Sequence, residues 1–189
     1  MTNKAIVIAA ISGSLKSSSS NTNILRVIAG IAPGQVVVRI VEDLDKLPHF
    51  NPDNDDQITS VIHFRQQLKE VDGVIFSTPE YAYGVPGVLK NSLDWLVSSG
   101  ELYEKPVAAI SASPIFSGGD KALASLMLTL TALGSHVNAH CSLSIGNIKN
   151  KMRESGEVKD AETIQALDKV LKDLINQIVG RAGGWEIIH

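Results

Sequence analysis

Short apolar runs alternate with amphipathic segments along nearly the whole chain. Runs rich in Val, Ile and Ala predict buried strands, because β-branched residues in runs of this length are typical of strands covered on both faces. The predicted strands are residues 4–11, 36–41, 73–77, 107–111 and 136–145. Apolar residues recur every three or four positions elsewhere, which predicts helices over residues 21–32, 57–70, from 86 onward, 120–133 and after 160.

This alternation of strands and helices predicts an α/β protein in which helices cover both faces of a parallel sheet. Right-handed crossovers leave few strand orders, and the order 2-1-3-4-5 fits five strands with one ligand site. The sequence therefore predicts a flavodoxin-like three-layer sandwich, with residues 1–189 forming a single domain. In such a sheet the loops after strands one and three face a common crevice, where ligands bind.

The segment after the first strand is rich in hydroxyl groups. Six serines lie between Ser12 and Ser20 together with Lys16, and Asn21 and Thr22 follow where the first helix is predicted to begin. Unpaired N–H groups at a helix N-terminus favour an anion, so this corner is a candidate phosphate site. Serine and asparagine are also ordinary turn and N-cap residues, and that purely structural alternative stays open.

Glycine spacing narrows the kind of phosphate that this corner would hold. Gly13 is the only glycine before Gly30, so the dinucleotide fingerprint is absent, and Gly-Lys-Ser/Thr occurs nowhere in the chain. The expected ligand therefore carries a phosphate monoester rather than a pyrophosphate or a triphosphate.

Two further loops follow strands three and four. The loop at residues 78–87 contains Tyr81 and Tyr83, two prolines and two glycines. Prolines stiffen a loop and glycines allow close backbone approach, so this loop suits a flat heterocycle; a turn whose tyrosines pack locally is the structural alternative. The loop at residues 112–119 ends in Gly118-Gly119 and is expected at the same sheet edge.

Composition excludes several classes of protein. A hydrophobic content of 44% and a charged content of 20% are typical of a globular domain. The formal net charge of −3 gives no electrostatic case for nucleic acid, and apolar runs of six or seven residues are too short for a membrane helix. The N-terminus has no signal-peptide pattern, and the single cysteine, Cys141, cannot form an intrachain disulfide, so a cytoplasmic location is expected.

Three motifs carry a resemblance to a known family. They are GSLKSSSSN at residues 13–21, PEY at 79–81 followed by PGVLKNSLDW at 86–95, and, more weakly, LPHFNPD at 47–53. With these motifs the chain resembles the NADPH-dependent FMN reductase family of flavodoxin-like proteins, which includes quinone, chromate and azo-dye reductases. The similarity spans most of the chain and fades after about residue 148.

The resemblance implies bound FMN that carries electrons from NADPH or NADH to a flavin, a quinone or a similar small acceptor. It implies that the phosphate lies in the first loop and the ring between the second and third loops, in a homodimer or homotetramer. The chemistry belongs to the cofactor, so no catalytic acid or base and no metal site is assigned. The residues expected to bind the cofactor are Ser14, Lys16, Ser19, Ser20, Asn21, Thr22, Pro79, Glu80, Tyr81, Ala82, Ser113 and Gly118.

Three positions depart from the family pattern. Lys16 replaces an arginine, which predicts weaker FMN retention because a point charge replaces a bidentate contact. Ala82 stands in place of an asparagine and Ile115 in place of a glycine.

Two alternatives to a reductase stay open, namely a flavodoxin-type electron carrier and a non-redox flavin- or phosphate-binding module. Such carriers are usually strongly acidic, and a net charge of −3 is mild for that role.

Overall fold

The computed structural model of the chain describes residues 5–54 and 57–183, and the predicted start of the first strand at Lys4 lies outside them. Its strands are β1 (Ile6–Ser12), β2 (Val36–Val41), β3 (Gly73–Thr78), β4 (Pro106–Ala112) and β5 (His136–Ile145). Its helices are α1 (Ser20–Ile31), α2 (Thr59–Lys69), α3 (Gly87–Asp94), α4 (Asp120–Ala132) and α5 (Ala161–Gly183). The ends of these elements agree with the predicted ones or differ from them by one or two residues.

The strands are parallel and lie in the order β2-β1-β3-β4-β5, which confirms the predicted topology. The register pairs Ser12 of β1 with Ser77 of β3, and Thr78 of β3 with Ser111 of β4. The carboxyl ends of these three strands therefore meet at one edge. The strand order reverses between β1 and β3, so this edge is the crevice in which such folds bind ligands.

Apolar side chains fill both faces of the sheet. On one face α1 and α5 bury residues such as Ile24 and Leu171, and on the other α2, α3 and α4 bury residues such as Phe64 and Leu126. Each face is thus covered by its own layer of helices, as the three-layer prediction requires. Within the described part of the chain, no helix is both long enough and apolar enough to cross a membrane.

The PGVLKNSLDW motif at residues 86–95 holds the connection after β2 in place. Trp95 is fully buried, and its indole N–H donates to the Pro48 carbonyl at 2.9 Å. The Asn91 side chain donates to the same carbonyl at 2.9 Å and accepts the Phe50 amide at 2.8 Å. The rings of Phe50 and Trp95 meet edge to face at 5.1 Å. This motif therefore has a structural role, since it fixes α3 to the connection after β2.

Candidate functional site

Buried hydroxyl groups form the floor of the crevice. Ser12 ends β1, while Ser77 and Ser111 lie fully buried near the ends of β3 and β4. The Gly13 amide donates to the Ser77 carbonyl at 2.8 Å, which extends the β1–β3 pairing into the loop. Ser12 belongs to the hydroxyl-rich segment identified in the sequence, whereas the sequence prediction misses Ser77 and Ser111. A serine that closes an otherwise apolar strand is the signal that identifies them.

Asn21 fixes the start of α1 over this floor. Its side chain is 2% exposed, donates from Nδ2 to the Ala112 carbonyl at 3.2 Å, and accepts the Ser77 hydroxyl at 2.9 Å. One amide thus joins α1 to β3 and β4. The side chain of Asn21 is occupied by the protein itself, so its main-chain N–H is the group that it can offer to a ligand.

The first turn of α1 is capped from within the first loop. Ser19 is the N-cap residue, and its hydroxyl accepts the Thr22 amide at 3.4 Å. The Thr22 hydroxyl in turn lies 2.8 Å from that of Ser12. The first turn contains no acidic residue, so the positive end of the helix dipole is not neutralised locally. With Ser20 as the first helical residue and Lys16 exposed nearby, this corner suits an anion.

Gly13 allows the first loop to lie directly against the start of the second. A Cβ atom at this position would lie 2.9 Å from Leu89 Cδ2 and 2.9 Å from Thr78 Oγ1. Both atoms belong to well-packed side chains that are fully buried. Any larger residue at position 13 would therefore push apart the two loops that flank the crevice.

The second loop contains a tight turn in an unusual backbone conformation. The amide and carbonyl of Tyr81 bond those of Gly84 at 3.1 and 3.0 Å. Between them Ala82 and Tyr83 adopt left-handed conformations with φ of 49° and 61°. Such conformations cost about 1 kcal/mol each for residues other than glycine and cluster at ligand sites. Ala82 and Tyr83 are exposed, and their amides take no part in the pair of bonds that closes the turn.

Glu80 connects the second loop to the start of α4, which follows the third loop. Its Oε2 atom accepts the backbone amides of Lys121 and Ala122, each at 3.0 Å, at the start of α4. The adjacent Pro79 is half-buried where β3 passes into the turn. The sequence prediction names Glu80 as a cofactor-binding residue and misses this use of its side chain.

The third loop is held closely against the end of β5. The Ser113 amide donates to the Ile145 carbonyl at 3.1 Å, and its hydroxyl accepts the Ile115 amide at 3.4 Å. Gly118 has a φ of 69°, and a Cβ there would lie 2.9 Å from the backbone of Ile145 and Gly146. The loop is therefore a rigid wall. The Ile115 side chain, by contrast, is 53% exposed at its surface.

Charged groups flank the first loop unevenly. A cavity of about 300 Å³ lies between Lys16 and Arg26 on one side and Glu42, Asp43 and Asp45 on the other.

The described residues contain no group of three or more side chains suited to a metal ion. Burial raises the pKa of Cys141 to about 11, so its thiol stays protonated and is not a nucleophile.

All twelve predicted site residues thus lie at the carboxyl edge of the sheet, on the loops after β1, β3 and β4 or in the first turn of α1. A helix N-terminus without local acidic residues stands beside two rigid loops at the point where the strand order reverses. These features define a flavodoxin-like protein with a site for a flat ligand that carries one phosphate. The chain belongs to the NADPH-dependent FMN reductase family, whose model matches residues 6–150.

Individual relatives agree with this assignment. An NAD(P)H-dependent FMN reductase of Pseudomonas aeruginosa is 31% identical over 89% of this chain and 93% of its own. A quinone reductase of Escherichia coli is 32% identical over 82% of this chain and 86% of its own. Among solved structures, FerB, a flavoenzyme NAD(P)H:(acceptor) oxidoreductase from Paracoccus denitrificans, superposes with a TM-score of 0.84 at 27% identity, covering 93% of this chain and 98% of that one.

The predicted family, fold and class of activity are therefore confirmed. The protein is an FMN-dependent NAD(P)H oxidoreductase that passes electrons to a small molecule, and FMN and NAD(P)H are its cofactors. The donor set fits FMN, because the α1 N-terminus and Lys16 suit one phosphate monoester. The Tyr81–Gly84 turn supplies main-chain polar groups of the kind that a flavin's pyrimidine edge requires.

Proposed function

We propose that this enzyme reduces a quinone or a similarly flat acceptor, with FMN held across the three loops described above. The proposal rests on one observation, namely that side-chain hydrogen bonds fix the positions of these loops relative to one another. Asn21 joins the first loop region to β3 and β4, and Glu80 joins the second loop to the helix that follows the third. A site fixed in this way positions a flat cofactor without a large rearrangement.

The phosphate of FMN would lie at the start of α1. In this proposal the hydroxyl and main-chain N–H groups of Ser14 and Ser20 donate to the phosphate oxygens, and Lys16 contributes the positive charge. Ser19 and Thr22 act mainly by shaping the first turn, since their hydroxyls already bond within the protein. Asn21 offers its main-chain N–H, because its amide side chain bonds Ser77 and Ala112.

The flavin ring would lie between the second and third loops. Pro79 and Glu80 set the direction of the second loop. The main-chain amide of Ala82 faces the pyrimidine edge, and Tyr81, whose amide and carbonyl both bond Gly84, closes the turn that presents it. Ser113 and Gly118 form the opposing wall. Because Gly118 has no side chain, the ring can approach the backbone closely there. FMN, when bound, supplies hydride acceptance and electron transfer, so the chain's own task is to bind, orient and shield the ring.

We further propose that the chain forms a homodimer or homotetramer through α3 and α4. Val97 and Leu128 are 65% and 73% exposed, and with Leu133 they line an open cavity of about 350 Å³ between these helices. Exposed apolar side chains grouped in this way are typical of an interface. The cytoplasmic location stays a prediction.

The visible spectrum of the purified protein tests the assignment. A flavin spectrum that bleaches on anaerobic addition of NADPH and recovers with benzoquinone is the expected result, together with steady NADPH consumption. Flavin that NADPH fails to bleach, or colourless protein after reconstitution with FMN, would contradict it. Bleaching without sustained turnover on any small acceptor would instead favour an electron carrier.

A further inference from the structure

A strongly basic cavity lies beside the proposed phosphate site. It has a volume of about 500 Å³ and opens between the first loop, the start of α1 and the segment after β5. Four cationic side chains line it, namely Lys16, Arg26, Lys149 and Arg153. Among the described residues Glu154 is the only carboxylate in its lining. We call this cavity the basic pocket.

The wall that carries Lys149 and Arg153 is a fixed part of the fold. Met152 and Val158 are buried in the core and pair as an antiparallel bridge. The Arg153 amide donates to the Glu157 carbonyl at 2.8 Å, which closes the turn between them. Arg153 is therefore presented from an ordered turn, and Lys149 from the short 3-10 helix Ile148–Lys151 just before it. This order lowers the conformational entropy that is lost when a ligand binds.

Gly156 brings this wall against α1. It has a φ of 85°, and a Cβ atom at this position would lie 2.2 Å from Asn23 Nδ2. Asn23 lies in the first turns of α1, and its Oδ1 accepts Arg26 Nη1 at 2.7 Å. The contact thus holds the cations of two separate segments around the same helix start.

Lys149 and Arg153 carry the positive charge that is left for a ligand, because Lys16 and Arg26 also face Glu42, Asp43 and Asp45 across the neighbouring cavity. Among the described residues, Lys149 forms no salt bridge with a carboxylate. Arg153 pairs with Glu157 at 3.2 Å, but both side chains are more than 60% exposed, at 63% and 67%. Exposed pairs of this kind contribute little and exchange readily, so Arg153 is available to an anion.

We propose that the basic pocket is a second anion subsite, which takes a phosphomonoester dianion through Lys149 and Arg153. The inference rests on the NAD(P)H-dependent reaction of this protein and on the proposed place of FMN. The single phosphate of FMN is assigned to the start of α1, so the phosphomonoester left for this subsite is the adenosine 2′-phosphate of NADPH, which NADH lacks. Arg153 lies beyond residue 150, where the family match ends, so part of this subsite lies outside the region that defines the family.

The double variant K149Q/R153Q tests the proposal in two arms. The first arm is the dissociation constant of FMN from the apoprotein, read by flavin fluorescence. The second is binding of 2′-AMP against 5′-AMP by calorimetry, together with KM for NADPH against NADH. Loss of two exposed cations should weaken 2′-AMP binding and raise KM for NADPH by about 5- to 20-fold, since each such pair contributes up to about 1 kcal/mol. The KM for NADH should stay unchanged.

The two arms separate the coenzyme from the cofactor. Weaker 2′-AMP binding with a raised KM for NADPH supports the proposal, whereas weaker FMN binding alone would show that the basic pocket belongs to the FMN phosphate site and would overturn it. The matched control is K159Q/R39Q, which removes the same two charges from exposed positions outside the pocket. Equal behaviour of the two double variants in both arms would overturn the proposal. Calorimetry with 2′-AMP needs no turnover, so it tests the pocket even if NADPH oxidation does not occur.

Discussion

The carboxylate of Glu80 caps helix α4 from a different loop, with its Oε2 atom 3.0 Å from the Ala122 amide. A helix usually takes its cap from the residue just before it. Here that residue is Gly119, which has no side chain and a φ of 84°. A Cβ at position 119 would lie 3.3 Å from the Glu80 Cβ. The glycine therefore makes room for Glu80, which supplies the cap that Gly119 cannot. The loops after β3 and β4 are therefore mechanically coupled.

Glu80→Ala should weaken both the fold and FMN retention. Loss of a helix cap costs about 1 kcal/mol, and the freed second loop should also bind FMN less tightly. Urea unfolding and fluorescence titration with FMN measure the two effects. Asp120→Asn is the matched control, since Asp120 is an exposed first-turn carboxylate whose bond within the described residues is to its neighbour Lys121, at 3.3 Å. Unchanged FMN affinity in E80A would show that the cap does not position the second loop.

Ala82→Asn should stabilise the protein. Asparagine tolerates the left-handed conformation that Ala82 holds at a φ of 49°, so the strain of about 1 kcal/mol should be partly relieved. The control is Ala124→Asn, at an exposed position of the right-handed helix α4, where the same change should destabilise by about 0.5 kcal/mol. Thermal unfolding of both variants should show shifts of opposite sign. Shifts in the same direction would exclude backbone strain as the cause.

The sequence predicts the strands and helices because buried runs and amphipathic periods are local signals. It also predicts the strand order, since few right-handed orders remain for five strands. The side-chain contacts of the site, by contrast, leave no local signal in the sequence. Nothing near Glu80 in sequence indicates that its partner is an amide 42 positions later, because the pairing depends on where two parallel strands end. The basic pocket is likewise assembled from Lys16 and Arg153, which only tertiary folding brings together.

Asn21 and Ser19 illustrate how a correct location can hide a different role. Both were predicted from the motif as phosphate ligands, and both lie in the first turn region that the prediction indicated. Their side chains, however, bond Ser77, Ala112 and the Thr22 amide. A sequence pattern reports which residue types a corner needs, but it does not separate the residues that contact a ligand from those that hold the corner together.

Asn21→Ala and Ser19→Ala should therefore lower the stability of the fold, which a change at Lys16 should not. Removing the Asn21 amide leaves the buried Ser77 hydroxyl without its acceptor, which should destabilise the fold by roughly 2–4 kcal/mol. Ser19→Ala removes an N-cap and should cost about 1 kcal/mol. Both variants should retain FMN less well, as denaturant unfolding and flavin content after gel filtration would show. A variant Asn21→Ala with wild-type stability would contradict this structural role.

Lys16→Arg should tighten FMN binding by about threefold, because a guanidinium can bond a phosphate through two N–H groups where an ammonium acts as a point charge. Lys16→Gln should weaken it, and the difference should shrink as salt is raised. Lys16 is exposed, so neither change should alter the free energy of unfolding by more than about 0.5 kcal/mol. Equilibrium titration of the apoprotein at two salt concentrations measures both effects. Equal affinities of all three proteins would remove Lys16 from the phosphate site.

Asp160 should make the stability of α5 depend on pH in the acid range. The Thr163 hydroxyl, the Lys151 ammonium and the Thr163 amide all donate to its carboxylate, and they hold the pKa of Asp160 at about 2. An unfolded Asp has a pKa near 4, so this contribution is complete above about pH 4 and is lost as the pH falls toward about 2. Asp160→Asn keeps an oxygen that can cap the Thr163 amide but removes the charge that Lys151 pairs with. The stability gap between wild type and D160N, measured by urea unfolding, should thus be largest near neutral pH and narrow below about pH 4. A gap that stays constant from pH 7 to pH 3 would show that the ionised carboxylate contributes nothing beyond its cap.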